Sequence, residues 1–575
     1  MCGRRVSSGD RMGEGIRSNR QGLDIEISHI CLVIFPFFPY NKLMEGLCMG
    51  IYVNPDYKSF WKSVHSEIYV DKTGLISCMN RRINTEQNCI CVSRPRRFGK
   101  SMALRMLAAY YSCGCDAREL FTGLKIAEDE TFEEYLNQYD VIYLNMQQFL
   151  IRARRQDVVE YLEQTVLEEL REVYGELIPQ RTTILSEALE KVYVKAGKEF
   201  IFLVDEWDCV MRERQESEGM QKQYLDFLRD LLKDQPYVAL AYMTGILPVK
   251  KYGVHSALNM FLEYSMTDQK MFEEYTGFTE EEVKELCRRY DMDFEEVGRW
   301  YDGYVFRKQK HIYNPKSVVE AMLCGTCSNY WTSTETYDAL KIYIDMDYDG
   351  LRPDIVQMLG GGRVKVNTRS FQNDMRNFRT KDDVLTLLIH LGYLAYDAET
   401  AEAFVPNKEI LGEFENAMST SGWPEVMRVL KASEQLLEDT LAGRADCVAA
   451  GLDRAHMEVA SILTYNDENS LGAAIGLAYY SARKDYKLIR ELPAGKEFAD
   501  VVFLPLRHTD KPAMVIELKY DRDVNSALRQ IKERQYTQAL EGYAGEILLV
   551  GIRYDRGNKM KPHDCVIEHM VKEQA

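Results

Sequence analysis

At 575 residues the chain is long enough for roughly three to four domains, and 46% hydrophobic with 28% charged residues is ordinary globular composition. A disordered, collagen-like or repeat-only chain is excluded, and the material for several apolar cores is present. Seventy-two Lys+Arg against 89 Asp+Glu give a net charge of −17, which excludes a general nucleic-acid coating protein, because phosphate binding needs local positive potential. The segment from Arg483 onward is net +2, so the C-terminal part is the least hostile to a polyanion.

The N-terminal residues are basic at Arg4, Arg5, Arg11, Arg17 and Arg20 and then apolar from Ile30 to Phe38. That run is too short to span a bilayer and no clear small-x-small cleavage site follows it. The reading is that residues 1–48 form a non-native or disordered extension, with Met44 or Met49 starting the folded chain, and that the protein meets no membrane. The scattered cysteines, Cys324-x-x-Cys327 included, read as free thiols in a reducing cytoplasm.

Asn88 to Ser93 reads as a short buried strand. Arg94-Pro-Arg-Arg-Phe-Gly-Lys-Ser101 follows, then a helical pattern through Met102, Met106, Ala109 and Tyr110. Strand, tight loop, Gly-Lys-Ser and helix aim backbone N–H groups at nucleotide phosphates. Gly99 lets the backbone approach, Lys100 would reach the β/γ-phosphates, and the Ser101 hydroxyl would ligate Mg²⁺. The first glycine of the usual loop is Arg94 here, while Arg94, Arg96 and Arg97 add positive charge around the phosphates. A strand-to-helix turn that merely carries these residues is the bland alternative.

A second motif strengthens the first. Phe200 to Val204 is a continuous apolar run, as expected of a parallel strand buried on both faces, and it ends in Asp205-Glu206-Trp207-Asp208. In this Walker B arrangement Asp205 would hold Mg²⁺ and Glu206 would act as general base. Strands at 140–145 and 237–244 fit the same sheet. Thr244, closing the latter, reads equally as a γ-phosphate sensor or as a strand-end cap. Residues 68–260 thus predict a doubly wound α/β domain with its ligand at the carboxyl ends of the strands.

The middle of the chain is helical. Capping boxes at Thr279–Glu282 and Thr380–Asp383 open helices, and two strand-like pieces after Gly392 (393–396 and 403–405) give a winged-helix-like pattern. Aromatic clusters at 300–304 and 330–334 read as core in preference to base-stacking platforms.

Near the C-terminus, 494–506 and 513–519 read as a hairpin. A turn centred near 509–510 would set Asp500 across from the Lys519 region, with Glu517 two residues along on the Lys519 face. Two converging carboxylates repel unless a hard cation lies between them, and oxygen donors suit Mg²⁺ or Mn²⁺. Lys519 could orient the attacking water. Asp-x(16)-Glu-x-Lys is the PD-(D/E)xK nuclease pattern. Glu468, in the first turn of a preceding helix, is either a further catalytic carboxylate or an N-terminal helix charge, and Gln530 is a weaker candidate. A buried strand at 545–551 completes an αβββαβ order.

Taken together, residues 49 to about 570 resemble the bacterial AAA-ATPase-like proteins fused to a C-terminal PD-(D/E)xK nuclease domain. The resemblance rests on Gly50–Pro55, Tyr69–Gly74, Arg94–Ser101, Val204–Asp208, Met243–Gly245 and Asp500…Glu517-x-Lys519. It implies that Arg94 in the glycine position is normal for such chains. The implied α/β multidomain architecture is a P-loop, AAA-like parallel-sheet ATPase domain at 49–275 and a helical, winged-helix-like region at 276–445. A restriction-endonuclease-like domain then fills 446–575. ATP and Mg²⁺ are the expected cofactors and nucleic acid, DNA by preference, the expected partner; a homo-oligomer is compatible. One expectation is an ATPase gating a phosphodiesterase at Asp500, Glu517 and Lys519. The other is a nucleotide-held switch whose nuclease fold does not cleave.

Overall fold

The computed structural model describes residues 50–571, apart from 155, 250–257, 269–270, 332–337, 347, 349, 372–377, 421–422, 460–467, 495–496, 507–508, 521–526, 528, 530–542, 544 and 556–562. The extension read at 1–48 and the candidate Gln530 lie outside the described residues. For Glu468 and Asp500 only the backbone is described. The described residues belong to one compact unit.

Five short apolar runs make the first sheet: β1 (Cys89–Ser93), β2 (Asp140–Asn145), β3 (Phe200–Asp205), β4 (Val238–Gly245) and β5 (Leu262–Tyr264). They lie in the order β2-β3-β4-β1-β5, every neighbouring pair parallel. All residues of β1, β3 and β4 are buried, because side chains alternate between two faces that are both covered. Cys89, Cys91, Phe200, Phe202 and Val204 enter one apolar cluster, and Ile90, Val92, Ile201 and Leu203 the other. Each such buried side chain contributes roughly 1.5–3 kcal/mol relative to exposure. This is the doubly wound sheet that the apolar runs predict, with β5 as a fifth strand that its three residues were too few to announce.

Between β1 and β2 runs α1 (Lys100–Tyr111), and directly after β3 comes the short α2 (Cys209–Glu213). Beyond the sheet, α3 (Glu280–Tyr290) opens with the capping box of Thr279 and Glu282. A small antiparallel sheet joins β6 (Val364–Lys365), β7 (Ala395–Asp397) and β8 (Glu402–Phe404) in the order β6-β8-β7. The helix before its hairpin, α4 (Lys381–Leu391), carries the box of Thr380 and Asp383 and is stopped by Gly392 at φ +89°, a conformation glycine adopts without strain. The helix-then-hairpin pattern is therefore present, with β6 added as a third strand. Then follows α5 (Lys408–Thr420). Trp331, Tyr301 and Tyr304 of the aromatic clusters are buried in cores, where no base could stack on them.

The last sheet is mixed. After α6 (Glu468–Ala478) come β9 (Tyr486–Ala494), β10 (Glu497–Pro505), β11 (Ala513–Tyr520), β12 (Glu546–Tyr554) and β13 (His563–Val571). They pair in chain order, antiparallel throughout except the parallel β11–β12 pair. The three strands after α6 and the crossover to parallel β12 follow the expected order, and β13 extends it. The register corrects one expectation. Val501 pairs with Ile516 and Phe503 with Met514, so the turn centres between 508 and 509. Continuing by one step sets Asp500 across from Glu517 instead of the Lys519 region. The start of β11 at Ala513 is as read, but a connection of this length does not fix the register, which is set by the side chains the paired strands bury.

A single apolar cluster runs from Phe98, Leu247 and Met266 through Trp331, Leu388 and Phe414 to Val501, Ile516 and Val550. The packing therefore continues across 445–446, where the sequence reading put a boundary. At one crossing a Cβ on Gly476 of α6 would overlap the Gly360 carbonyl oxygen, so that contact admits no side chain.

Candidate functional site

The carboxyl ends of β1, β3 and β4 are brought level by their register, with Val92 beside Thr244 and Val204 beside Met243. Just past β1 the chain makes the loop into α1. The Arg94 N–H donates to the Gly245 carbonyl at 3.0 Å, anchoring the loop to the end of β4. Arg97 and Gly99 both adopt positive φ, +69° and +85°. The Gly99 position, immediately before α1, turns the helix N-terminus toward the loop, and the first N–H groups of α1 have no intrahelical acceptor.

Lys100 is 5% exposed. Its Nζ donates to the carbonyls of Arg94 (3.0 Å) and Pro95 (2.9 Å). Burial pushes its pKa down, opposed by Glu206, Asp205 and Asp208, whose charges all reach it. Lys100 and the acidic end of β3 are thus brought together at the carboxyl ends of the strands. Asp205 and Thr244 are fully buried. The Thr244 hydroxyl donates to Asp205 Oδ1 at 2.8 Å, and the Glu206 N–H donates to the same oxygen at 3.1 Å. Thr244, one residue before the end of β4, thus fixes the Asp205 carboxylate of the neighbouring strand. Ser101 follows Lys100 in the first turn of α1.

The three loop arginines part company. Arg96 is exposed. Arg97 donates to the Tyr330 carbonyl at 3.0 Å and lies 5.8 Å from the Trp331 ring centre. Arg94, in the place of the usual first glycine, is 0% exposed. Its guanidinium donates to Thr276 Oγ1 (3.0 Å) and to the carbonyls of Ser93 (2.9 Å) and Tyr264 (3.0 Å), and lies over Phe306. Burial lowers its pKa to about 10. The expectation that Arg94 adds charge for phosphates is corrected: its side chain is committed to packing behind the loop.

Two residues the sequence reading left without a role complete the site. Asp208 is fully buried; its Oδ2 accepts from the backbone N–H groups of Ile246 (3.2 Å) and Leu247 (2.9 Å) and from Arg212 Nε (3.0 Å). Arg212 on α2 also donates to the Glu206 carboxylate. The signal was available in Asp205-Glu206-Trp207-Asp208-x-x-x-Arg212, where Asp208 and Arg212 are four apart on one helix face.

In the last sheet Glu517 is 1% exposed and accepts from Lys519 Nζ at 2.8 Å. Two residues apart on β11, they share a face. On β12 they stand beside Gly551 and Arg553. Asp500 lies one position beyond the last registered pair of β10, and Glu468 begins α6.

Residues 56–255, which contain this loop and acidic strand end, match a family described as "Predicted AAA-ATPase". They form an AAA-ATPase-like domain. A curated relative, "Uncharacterized protein in vnfD 5'region" of Azotobacter chroococcum mcd 1, is 25% identical over 276 residues, 47% of this chain and 51% of its own. The chain thus spans about half the length of that relative. Among solved structures, the Walker-type ATPase PABY2304 of Pyrococcus abyssi is similar over 60% of this chain and 94% of its own, at 12% identity and a TM-score of 0.31. The ORC2 protein of Aeropyrum pernix, in ADPNP–ADP complexes, is similar over 62% of this chain and 98% of its own, at 10% identity and a TM-score of 0.29.

The donors of the AAA-ATPase-like domain suit a magnesium nucleotide. Asp205 Oδ2 is buried and has no hydrogen-bond partner, and an orphaned carboxylate oxygen is costly unless a cation or donor meets it. A carboxylate oxygen of this kind and a hydroxyl such as that of Ser101, in the first turn of α1, are the hard donors that Mg²⁺ takes. Among the described residues no three His, Cys, Asp or Glu side chains gather as a metal cage, and no helix is long and apolar enough to cross a membrane.

Proposed function

We propose that the protein binds and hydrolyses ATP at Lys100, Ser101, Asp205 and Glu206, and that its C-terminal sheet is a PD-(D/E)xK phosphodiesterase acting on nucleic acid, DNA in preference to RNA. One observation carries the reading: the ammonium of Lys100 lies in the field of Glu206, Asp205 and Asp208 at the carboxyl end of a parallel sheet. In the reaction Lys100 exchanges the Arg94 and Pro95 carbonyls for phosphate oxygens, and the N–H groups opening α1 bind the same phosphates. Asp205, fixed by Thr244, holds its free oxygen toward the phosphate side. Glu206 takes the proton of the attacking water. Mg²⁺, when bound, neutralises charge on the phosphate oxygens.

For the second activity the support is the Glu517–Lys519 ion pair on one strand face, with Asp500 next in register across from Glu517. Here Lys519 would orient water and stabilise charge building on the scissile phosphate, with Asp500 and Glu517 as the carboxylates that would hold Mg²⁺ and Glu468 as a further catalytic carboxylate. The free, mostly buried thiols of the described residues support a reducing cytoplasmic setting.

Purified protein is incubated with ATP and Mg²⁺ and with single-stranded, duplex and branched DNA. Phosphate release should fall at least ~100-fold in Lys100→Ala, and Mg²⁺-dependent cleavage should disappear in Lys519→Ala. Tight ATP binding with neither hydrolysis nor nicking would replace this reading by the nucleotide-held switch.

A further inference from the structure

Glu206 stands on a backbone that a glutamate rarely adopts, with φ +52°. A left-handed residue of this kind is held there by its surroundings against a steric penalty. What engages its side chain is Arg212. The guanidinium is 7% exposed; its Nη2 donates to Glu206 Oε2 and its Nε to Asp208 Oδ2. Asp208 in turn holds the Ile246 and Leu247 N–H groups that follow β4. Arg212 is thus a rigid strut between the candidate base and the turn after the Thr244 strand, and a guanidinium fork fixes geometry as well as charge.

Four charged groups face Glu206: Lys100 of α1, Asp205 of β3, and Asp208 and Arg212 at α2. Burial and the two aspartates disfavour its charge, while Lys100 and Arg212 favour it, and its pKa is raised on balance. The opposite holds for Arg212: burial works against its charge, but Asp208 and Glu206 outweigh burial and hold it above its ordinary value. When Lys100 turns to phosphate oxygens, its charge is matched by the nucleotide. Arg212 is then the fixed cation left to Glu206.

We propose that Arg212 is a positioning residue for hydrolysis: its guanidinium fork holds the Glu206 carboxylate by one oxygen, leaving the other to take a proton from water. This rests on the ATPase reading above.

The test measures ATP hydrolysis for the full chain, Arg212→Gln, Arg212→Lys and Glu206→Gln, with nucleotide affinity from a fluorescent ATP analogue. Arg212→Gln should keep affinity and KM within ~3-fold and lose ~10–100-fold in kcat. Arg212→Lys, which keeps the charge and loses the fork, should recover part of that kcat. Because Arg212→Gln strands the buried Asp208 charge, the double variant Arg212→Gln/Asp208→Asn removes both charges and should show the same kcat loss at unchanged affinity. In the Glu206→Gln background, Arg212→Gln should cost little further kcat. An unchanged kcat, an affinity loss as large as the kcat loss, or an equal further kcat loss in the Glu206→Gln background overturns the proposal. Failure of the ATPase reading looks different: the unsubstituted chain and Lys100→Ala would be equally inactive.

Discussion

Arg94 and Arg96 are two positions apart in one loop and do unlike things. Arg94 is sealed against Thr276, Tyr264 and Phe306, whereas Arg96 is exposed. Arg94→Ala should therefore cost roughly 2–4 kcal/mol of stability, through a cavity and stranded acceptors, read by chemical denaturation. Arg96→Ala should stay within about 0.5 kcal/mol and weaken nucleotide affinity instead. Equal stability losses in the two variants would contradict this division. In the sequence the two arginines read alike, as charge beside a phosphate loop. Side-chain direction depends on what packs behind the loop, and those partners lie up to 212 positions away, at Phe306.

Elements carried their own signatures where the physics is local. Thr279 with Glu282 and Thr380 with Asp383 form capping boxes as read, since such a box needs only four consecutive residues. The β10–β11 register was not legible, because strand limits alone leave the pairing free to slide and the packing of the two faces decides it, and the reading missed it by two residues in the pair sum. The role of α5 was not legible either. Its Glu409, 1% exposed, accepts from the N–H groups of Tyr330 and Trp331 and from Ser317, and so carries the turn on which Arg97 rests. Burial raises its pKa to about 7, against the pull of those donors and of Arg97. The folded chain thus keeps a proton that the unfolded chain, with a carboxyl near 4.3, releases. That contribution to stability is full below about pH 4 and is lost as pH rises through 7. Glu409→Gln stays neutral, so relative to the unsubstituted protein it should gain roughly 1–3 kcal/mol between pH 5 and pH 8, measured by urea melts. Parallel stability curves would refute it.

At the scale of the molecule, the phosphate loop is tied to the far sheet through one core. Phe98 of the loop packs edge-on against Tyr304 at 5.1 Å, and both belong to the cluster that reaches Val501 and Val550. Helix α6 meets Gly360 with no room for a side chain at Gly476. A chain cut after residue 445 loses the β10, β11 and β12 side of that cluster and should aggregate or bind a hydrophobic dye. A monodisperse fragment that melts as cooperatively as the full chain would contradict a shared core.

The sequence by itself determined the parallel sheet, the Gly-Lys-Ser loop and the acidic strand end that answers it. Apolar runs and helix starts are written within a few neighbouring residues and need no distant partner. Only the tertiary structure decided that Arg94 turns inward, that Arg212 grips Glu206 and Asp208, and that the middle and last regions share a core. Each of these is a meeting of side chains whose directions are fixed by packing between elements, and no local pattern encodes that.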